Sequence, residues 1–119
     1  MTVSMDLEAV YQMGFQFRCE GRYREAREQL ERVLAADPNH ANAHWQMGLI
    51  QGFEGDFDGS LATLQRVVNQ HPAHNNARYD MAMTMMMLGM FDEACDGFRK
   101  VLAHDPTHED AKRQLAFCP

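Results

Sequence analysis

The stretch ANAHWQMGLIQGFEGDFDGSLATLQRVVNQHPAH, residues 41–74, decides the fold, because the chain before it and after it runs in the same register. Pro38, Pro72 and Pro106 fall 34 residues apart, twice in succession. Set out at that period, the sequence makes three gap-free blocks: Leu7 to His40, Ala41 to His74 and Asn75 to His108. A fourth, partial block occupies residues 109–118. The columns agree closely. The third place is Ala9, Ala43, Ala77 and Ala111; the seventh is Met13, Met47, Met81 and Leu115. The eighth is Gly14, Gly48, Ala82 and Ala116, and the fifteenth is Gly21, Gly55 and Gly89. Internal periodicity of this length takes precedence over any other reading.

Each column has a physical reason. Apolar residues at the third, seventh and eleventh places recur every four residues, which draws one stripe along a helix. The glycine at the fifteenth place suits a left-handed residue just past a helix C-terminus. After it, Ala26, Leu30, Val33 and Leu34 and their counterparts make a second amphipathic stripe. Asp-Pro or His-Pro then ends that second helix, since the residue before proline is pushed out of helical space. Each block is thus helix, tight turn, helix. The tiny residues at the eighth and twentieth places (Ala26, Ser60, Ala94) allow the two helices to approach closely. No β-type alternation competes. The expected fold class is all-α.

The pattern resembles the tetratricopeptide repeat (TPR), whose period is also 34 and whose turn, small-residue and proline columns are all present over residues 7–108. Two columns depart from it. The fourth place, usually Trp, is Val10, His44 and Arg78; the eleventh, usually Tyr, is Phe17, Gln51 and Met85. The resemblance implies an α-α superhelix of three repeats, 7–40, 41–74 and 75–108, with 109–118 as a short C-terminal capping helix. It also implies a concave groove, lined by the first helix of each repeat, that binds a segment of another protein.

Carried onto this chain, the family's groove-facing places are Tyr11, Gln12 and Phe15 in the first repeat, with Glu8, Arg18 and Cys19 beside them. The second repeat supplies Asn42, Trp45, Gln46, Leu49, Gly52 and Phe53; the third supplies Asn76, Tyr79, Asp80, Met83, Met86 and Met87. The fifth place is aromatic in every repeat and the ninth is apolar in every repeat. The first helices are therefore apolar around more of their circumference than one packing face needs. Aromatic residues and Met are enriched at protein-binding surfaces. This second stripe reads either as the wall of a ligand groove or as packing between neighbouring repeats. Some family members hold the carboxylate of heat-shock chaperone tails with Lys and Asn. The matching places here are Tyr11, Phe15, Gln46, Asn76 and Asp80, with no basic residue among them to supply charge-assisted donors. An apolar or aromatic segment with basic flanks suits these walls better than an acidic tail.

Composition agrees with a single folded domain of 119 residues, 45% hydrophobic and 24% charged. A formal charge of -6 lacks the basic footprint that nucleic acid or anionic lipid requires. No run of 18 apolar residues exists to enter a membrane. The start of the chain carries neither a basic flank nor an apolar core of an export signal, so a cytoplasmic location is expected, unless a leader has been removed. Cys19, Cys95 and Cys118 are odd in number and widely spaced, and read as reduced thiols. The histidine pairs His40/His44, His71/His74 and His104/His108 tempt a metal reading, but their place beside the prolines favours solvated loops. No nucleophile has a base and orienter by pattern, and the recurring glycines end helices, not cradle phosphates. The expected function is a non-enzymatic protein-interaction module, without cofactor or metal. The competing expectation is self-assembly through the ends or the groove, because repeat arrays need polar caps to stay monomeric.

Overall fold

A computed structural model describes residues 6–119 as seven helices with no strand among them. They are α1 (Leu7–Cys19), α2 (Tyr23–Ala36), α3 (Ala41–Phe53), α4 (Phe57–Gln70), α5 (Asn75–Met87), α6 (Phe91–His104) and α7 (Glu109–Leu115). Each helix packs antiparallel on the next, and the pairs stack into a body of 60 × 27 × 22 Å. The chain is an all-α solenoid, as the period demands.

The turns inside each pair are set by one glycine. Gly21, Gly55 and Gly89 have φ of 76°, 88° and 77°, a conformation that costs a side-chain-bearing residue roughly 1 kcal/mol or more. Around each of them the next amide returns to the eleventh-place carbonyl: Arg22 to Phe17, Asp56 to Gln51 and Met90 to Met85, each at 2.9 Å. The glycine amide itself bonds to the twelfth-place carbonyl. These two bonds satisfy carbonyls that the helix end would otherwise leave open.

Close approach within a pair rests on the eighth place. A Cβ on Gly14 would sit 2.9 Å from the Leu30 side chain, and one on Gly48 would sit 2.8 Å from Leu64. In the third pair the eighth place is Ala82, and the spared atom moves across the interface: Gly97 faces it, where a Cβ would lie 2.9 Å from that of Ala82. Ser60 is buried at the twentieth place because its hydroxyl donates to the Gly48 carbonyl at 2.8 Å.

Two expectations are revised by the structure, one at the helix starts and one at the cysteines. The thirty-fourth-place histidines are not solvated loop residues. His40, His74 and His108 are half-buried N-caps whose Nδ1 accepts the amides of Ala43, Ala77 and Ala111, each at 3.0 Å. Asp6 performs the same task for Ala9 with a carboxylate oxygen. The cysteines are not all free: Cys95 and Cys118 form a disulfide that ties α6 to the segment after α7, with Cα atoms 6.0 Å apart. Sequence spacing concealed that pair because the two cysteines stand 23 positions apart, across a helix reversal that brings them together. Cys19 alone is a free thiol, and it is exposed.

Candidate functional site: the inner face of the first helices

The aromatic column at the fifth place is built into the junctions between repeats. Each ring leans on the capping histidine of the following repeat, with centroids 5.4 Å apart for Tyr11 and His40, 5.2 Å for Trp45 and His74, and 5.0 Å for Tyr79 and His108. Each also meets the sixth-place polar residue one repeat on. Gln46 Nε2 donates to the Tyr11 hydroxyl at 3.3 Å and Trp45 Nε1 donates to Asp80 Oδ2 at 2.7 Å, while at the third junction burial raises the Tyr79 hydroxyl above its ordinary pKa and Gln114 works against that rise. The ring-to-histidine contact thus recurs at all three junctions, and the hydrogen bond to the sixth-place residue at the first two.

The first junction is sealed. Tyr11 is 6% exposed and Gln46 is fully buried. Arg18, at the twelfth place, donates from Nε to Gln46 Oε1, and its guanidinium lies 5.1 Å above the Phe15 ring and 5.9 Å from that of Phe53. Burial raises the Tyr11 hydroxyl above its ordinary pKa, with the Gln46 hydrogen bond working against it. Tyr11 and Gln46 therefore present no accessible wall, which corrects their placement in a groove.

The second junction is open. The twelfth place here is Gly52, which adds no side chain, and a trough of about 470 Å³ lies between α3, the start of α4 and α5. Leu49, Phe53, Phe57, Tyr79, Met83 and Met87 supply its apolar walls, and Asp80 lies among them. Phe53 is 57% exposed and Met87 is 66% exposed. Asp80 is largely covered, and burial raises its carboxyl above the ordinary 3.8, while the Trp45 N–H and the Arg18 charge lower it. Among the described residues Asp80 makes no ion pair.

The other inner-face positions scatter. Phe15 is half-buried under Arg18. Met86 packs on the cluster around Phe98. Asn42 accepts from His74 Nε2 at 2.8 Å, and Asn76 lies beside it at a small polar pocket on the rim. Gln12 is exposed, donates to Glu8 at 2.8 Å and belongs to the outer edge of α1. Sequence reasoning missed Phe57 and Thr84 in the trough lining, since both sit outside the groove-facing columns. The signal for the trough itself was Gly52, the one glycine in the twelfth column.

No group of three or more His, Cys, Asp or Glu side chains among the described residues is placed to hold a metal ion. No helix among them is long and apolar enough to cross a membrane.

These features define a class. Tetratricopeptide-repeat family models match residues 20–51, 42–74 and 76–108, and the chain belongs to that family. No curated relative matches the sequence. Among solved structures, the chain is similar to MamA AMB-1 at 27% identity and a TM-score of 0.74, over 95% of this chain and 62% of that one. A second structure of MamA superposes with a TM-score of 0.81 at 19% identity, over 92% of this chain and 64% of that one. The chain thus spans less than two thirds of the MamA chains. The first TPR of Spaghetti (RPAP3), bound to HSP90 peptide SRMEEVD, superposes at 0.87 with 17% identity, over 97% of this chain and 94% of that one, and shares the fold. Repeats of this family are generally protein-interaction modules.

Proposed function

We propose that this chain is a non-enzymatic adaptor or chaperone-like module that takes an apolar or aromatic peptide segment into the trough between the second and third repeats. The observation that carries the reading is the trough itself: about 470 Å³, walled by Leu49, Phe53, Tyr79, Met83 and Met87, with a covered carboxylate that makes no ion pair among the described residues. Exposed aromatic and Met side chains gathered in one concavity are what a helical or extended ligand buries, and Met adapts to varied shapes. Asp80 favours a ligand with one Lys or Arg near its apolar anchors, because a largely desolvated carboxylate gains most from a charge-assisted hydrogen bond. The same carboxylate opposes an acidic tail. The location proposed for this module is the cytoplasm, on the strength of the sequence alone.

Titration with synthetic amphipathic peptides carrying Leu and Phe anchors tests this reading. A peptide with Lys at its centre binds more tightly than its Glu counterpart, and Phe53→Ala weakens binding by about 1–2 kcal/mol, or roughly tenfold. Binding that is indifferent to Phe53→Ala and Met83→Ala places the ligand elsewhere and removes the proposal.

A further inference from the structure

The repeat register exposes a surface that the groove reading does not use. In α3, α5 and α7 the third and seventh places face the second helix of the preceding pair. There Ala43, Ala77 and Ala111 are fully buried, Met81 is buried, and Met47 and Leu115 are half-buried. In α1 the corresponding face has no preceding helix among the described residues. Ala9 is exposed, Met13 is 46% exposed, and both line an open depression of about 360 Å³ with Phe17. At the other end of the solenoid, α6 offers the complementary face, where Phe98 and Val101 are covered by Ala111 and Leu115 of α7. That cover is slight. It spans 7 residues and buries one side chain fully, and helices of that length are marginal unless held in place. The Cys95–Cys118 disulfide holds it.

We propose that this disulfide is a latch on α7, and that its reduction lets α1 of a second copy of this chain dock on α6 in the place of α7. The occupant follows from the register. α7 shows what that face of α6 accepts, a capped helix with a small residue at the third place and an aliphatic one at the seventh; α1 carries Ala9 and Met13 at those places, capped by Asp6. The junction formed would repeat those already made by α2 with α3 and by α4 with α5. It joins copies head to tail, and is independent of the trough.

The chemical step is thiol–disulfide exchange with an external dithiol. A thiolate of the reductant attacks Sγ of the half-buried Cys118, not the buried Cys95. The S–S bond breaks and Cys95 leaves as a thiolate. The second thiol of the reductant then resolves the mixed disulfide. Two electrons pass to the protein, the dithiol becomes its own disulfide, and its two protons end on Cys95 and Cys118.

Light scattering and amide hydrogen exchange, with and without dithiothreitol, test the latch. The oxidised protein scatters as a 13.6 kDa monomer across a dilution series. Reduction, or Cys118→Ser, accelerates exchange in α7 on the order of tenfold or more, as release of a cross-linked loop allows, and the average mass rises with concentration. Met13→Glu under reducing conditions returns the mass to the monomer while α7 still exchanges fast; Phe53→Ala leaves the assembly intact. Fast exchange in α7 with an unchanged monomer mass overturns the docking. Equal assembly of oxidised and reduced protein, or assembly that survives Met13→Glu, overturns it as well.

Discussion

The junction between the first and second repeats and the junction between the second and third are built from the same columns, yet one is closed and the other open. Both place an aromatic ring against a capping histidine and against a sixth-place polar group one repeat on. At the first, the polar group is Gln46, roofed by Arg18, and water is excluded from Tyr11. At the second, the polar group is Asp80 and the roof is missing, since the twelfth place is Gly52. The junction chemistry thus holds the solenoid together, while a single column decides whether it also leaves room for a ligand.

The largest effect is expected where the open junction is held. Trp45→Ala removes a half-buried ring from the cluster of Leu64, Val67 and Met81 and leaves Asp80 without its donor, at a cost of about 2–3 kcal/mol in chemical denaturation. A loss below about 1 kcal/mol would mean that Trp45 belongs to the ligand surface, not the junction. Next comes conversion of one junction into the other. Gly52→Arg copies the roof of the first junction, places a guanidinium near Asp80, and lowers affinity for an amphipathic peptide at least tenfold. The exchange of Gly for Arg in a helix interior favours stability by up to about 1 kcal/mol, partly offset because a Cβ there approaches Ser60 Oγ to 3.3 Å. Unchanged peptide affinity in a folded Gly52→Arg protein would show that the trough is not the site.

Acid should separate the two polar groups of the open junction. His74 accepts an amide at Nδ1 and donates from Nε2 to Asn42, so it is held neutral, and burial lowers its pKa below the ordinary 6.5, with a smaller contribution from the His71 charge. The unfolded chain therefore takes up the proton first, and stability falls as pH drops below about 6.5 toward the lower folded value. Asp80 acts in the opposite sense. Its folded pKa is raised, so the folded chain binds the proton first, and stability is regained as pH falls through that raised value toward 3.8. Trp45, Arg18, Tyr79 and His108 are the groups that act on Asp80; Asn42, Trp45 and His71 are those around His74. His74→Asn keeps a capping side chain and should flatten the loss between pH 7 and 5 in thermal melts. An unaltered slope would remove His74 from the account. The smallest effect is expected at the rim: Asn76→Ala, an exposed change outside the trough, should leave stability within about 0.5 kcal/mol and peptide affinity unaltered.

The architecture was almost fully legible in the residues because its determinants are local. A glycine at a left-handed turn, a proline after a helix and a missing Cβ opposite Leu30 act within one block, where spacing along the chain stands for spacing in space. The site was legible only in part. Leu49, Phe53, Tyr79 and Met83 do meet at one concavity. Tyr11 and Gln46 carry the same column labels as Trp45 and Asp80 and are sealed, because exposure depends on what a neighbouring repeat places above them. The histidine caps were hidden for a related reason: their role is shared between an amide three residues ahead and a ring about thirty residues behind.

From the sequence by itself came the period, the seven helices, the turn glycines and the small-residue contacts, all of which follow from backbone preference and a stripe repeated every helical turn. Only the tertiary structure decided that Cys95 bonds Cys118, that the fifth-place rings clamp one repeat to the next, and that Gly52 leaves a trough beside Asp80. Those outcomes depend on side chains distant along the chain meeting at one junction, and the hydropathy of a single helix carries no record of its neighbours.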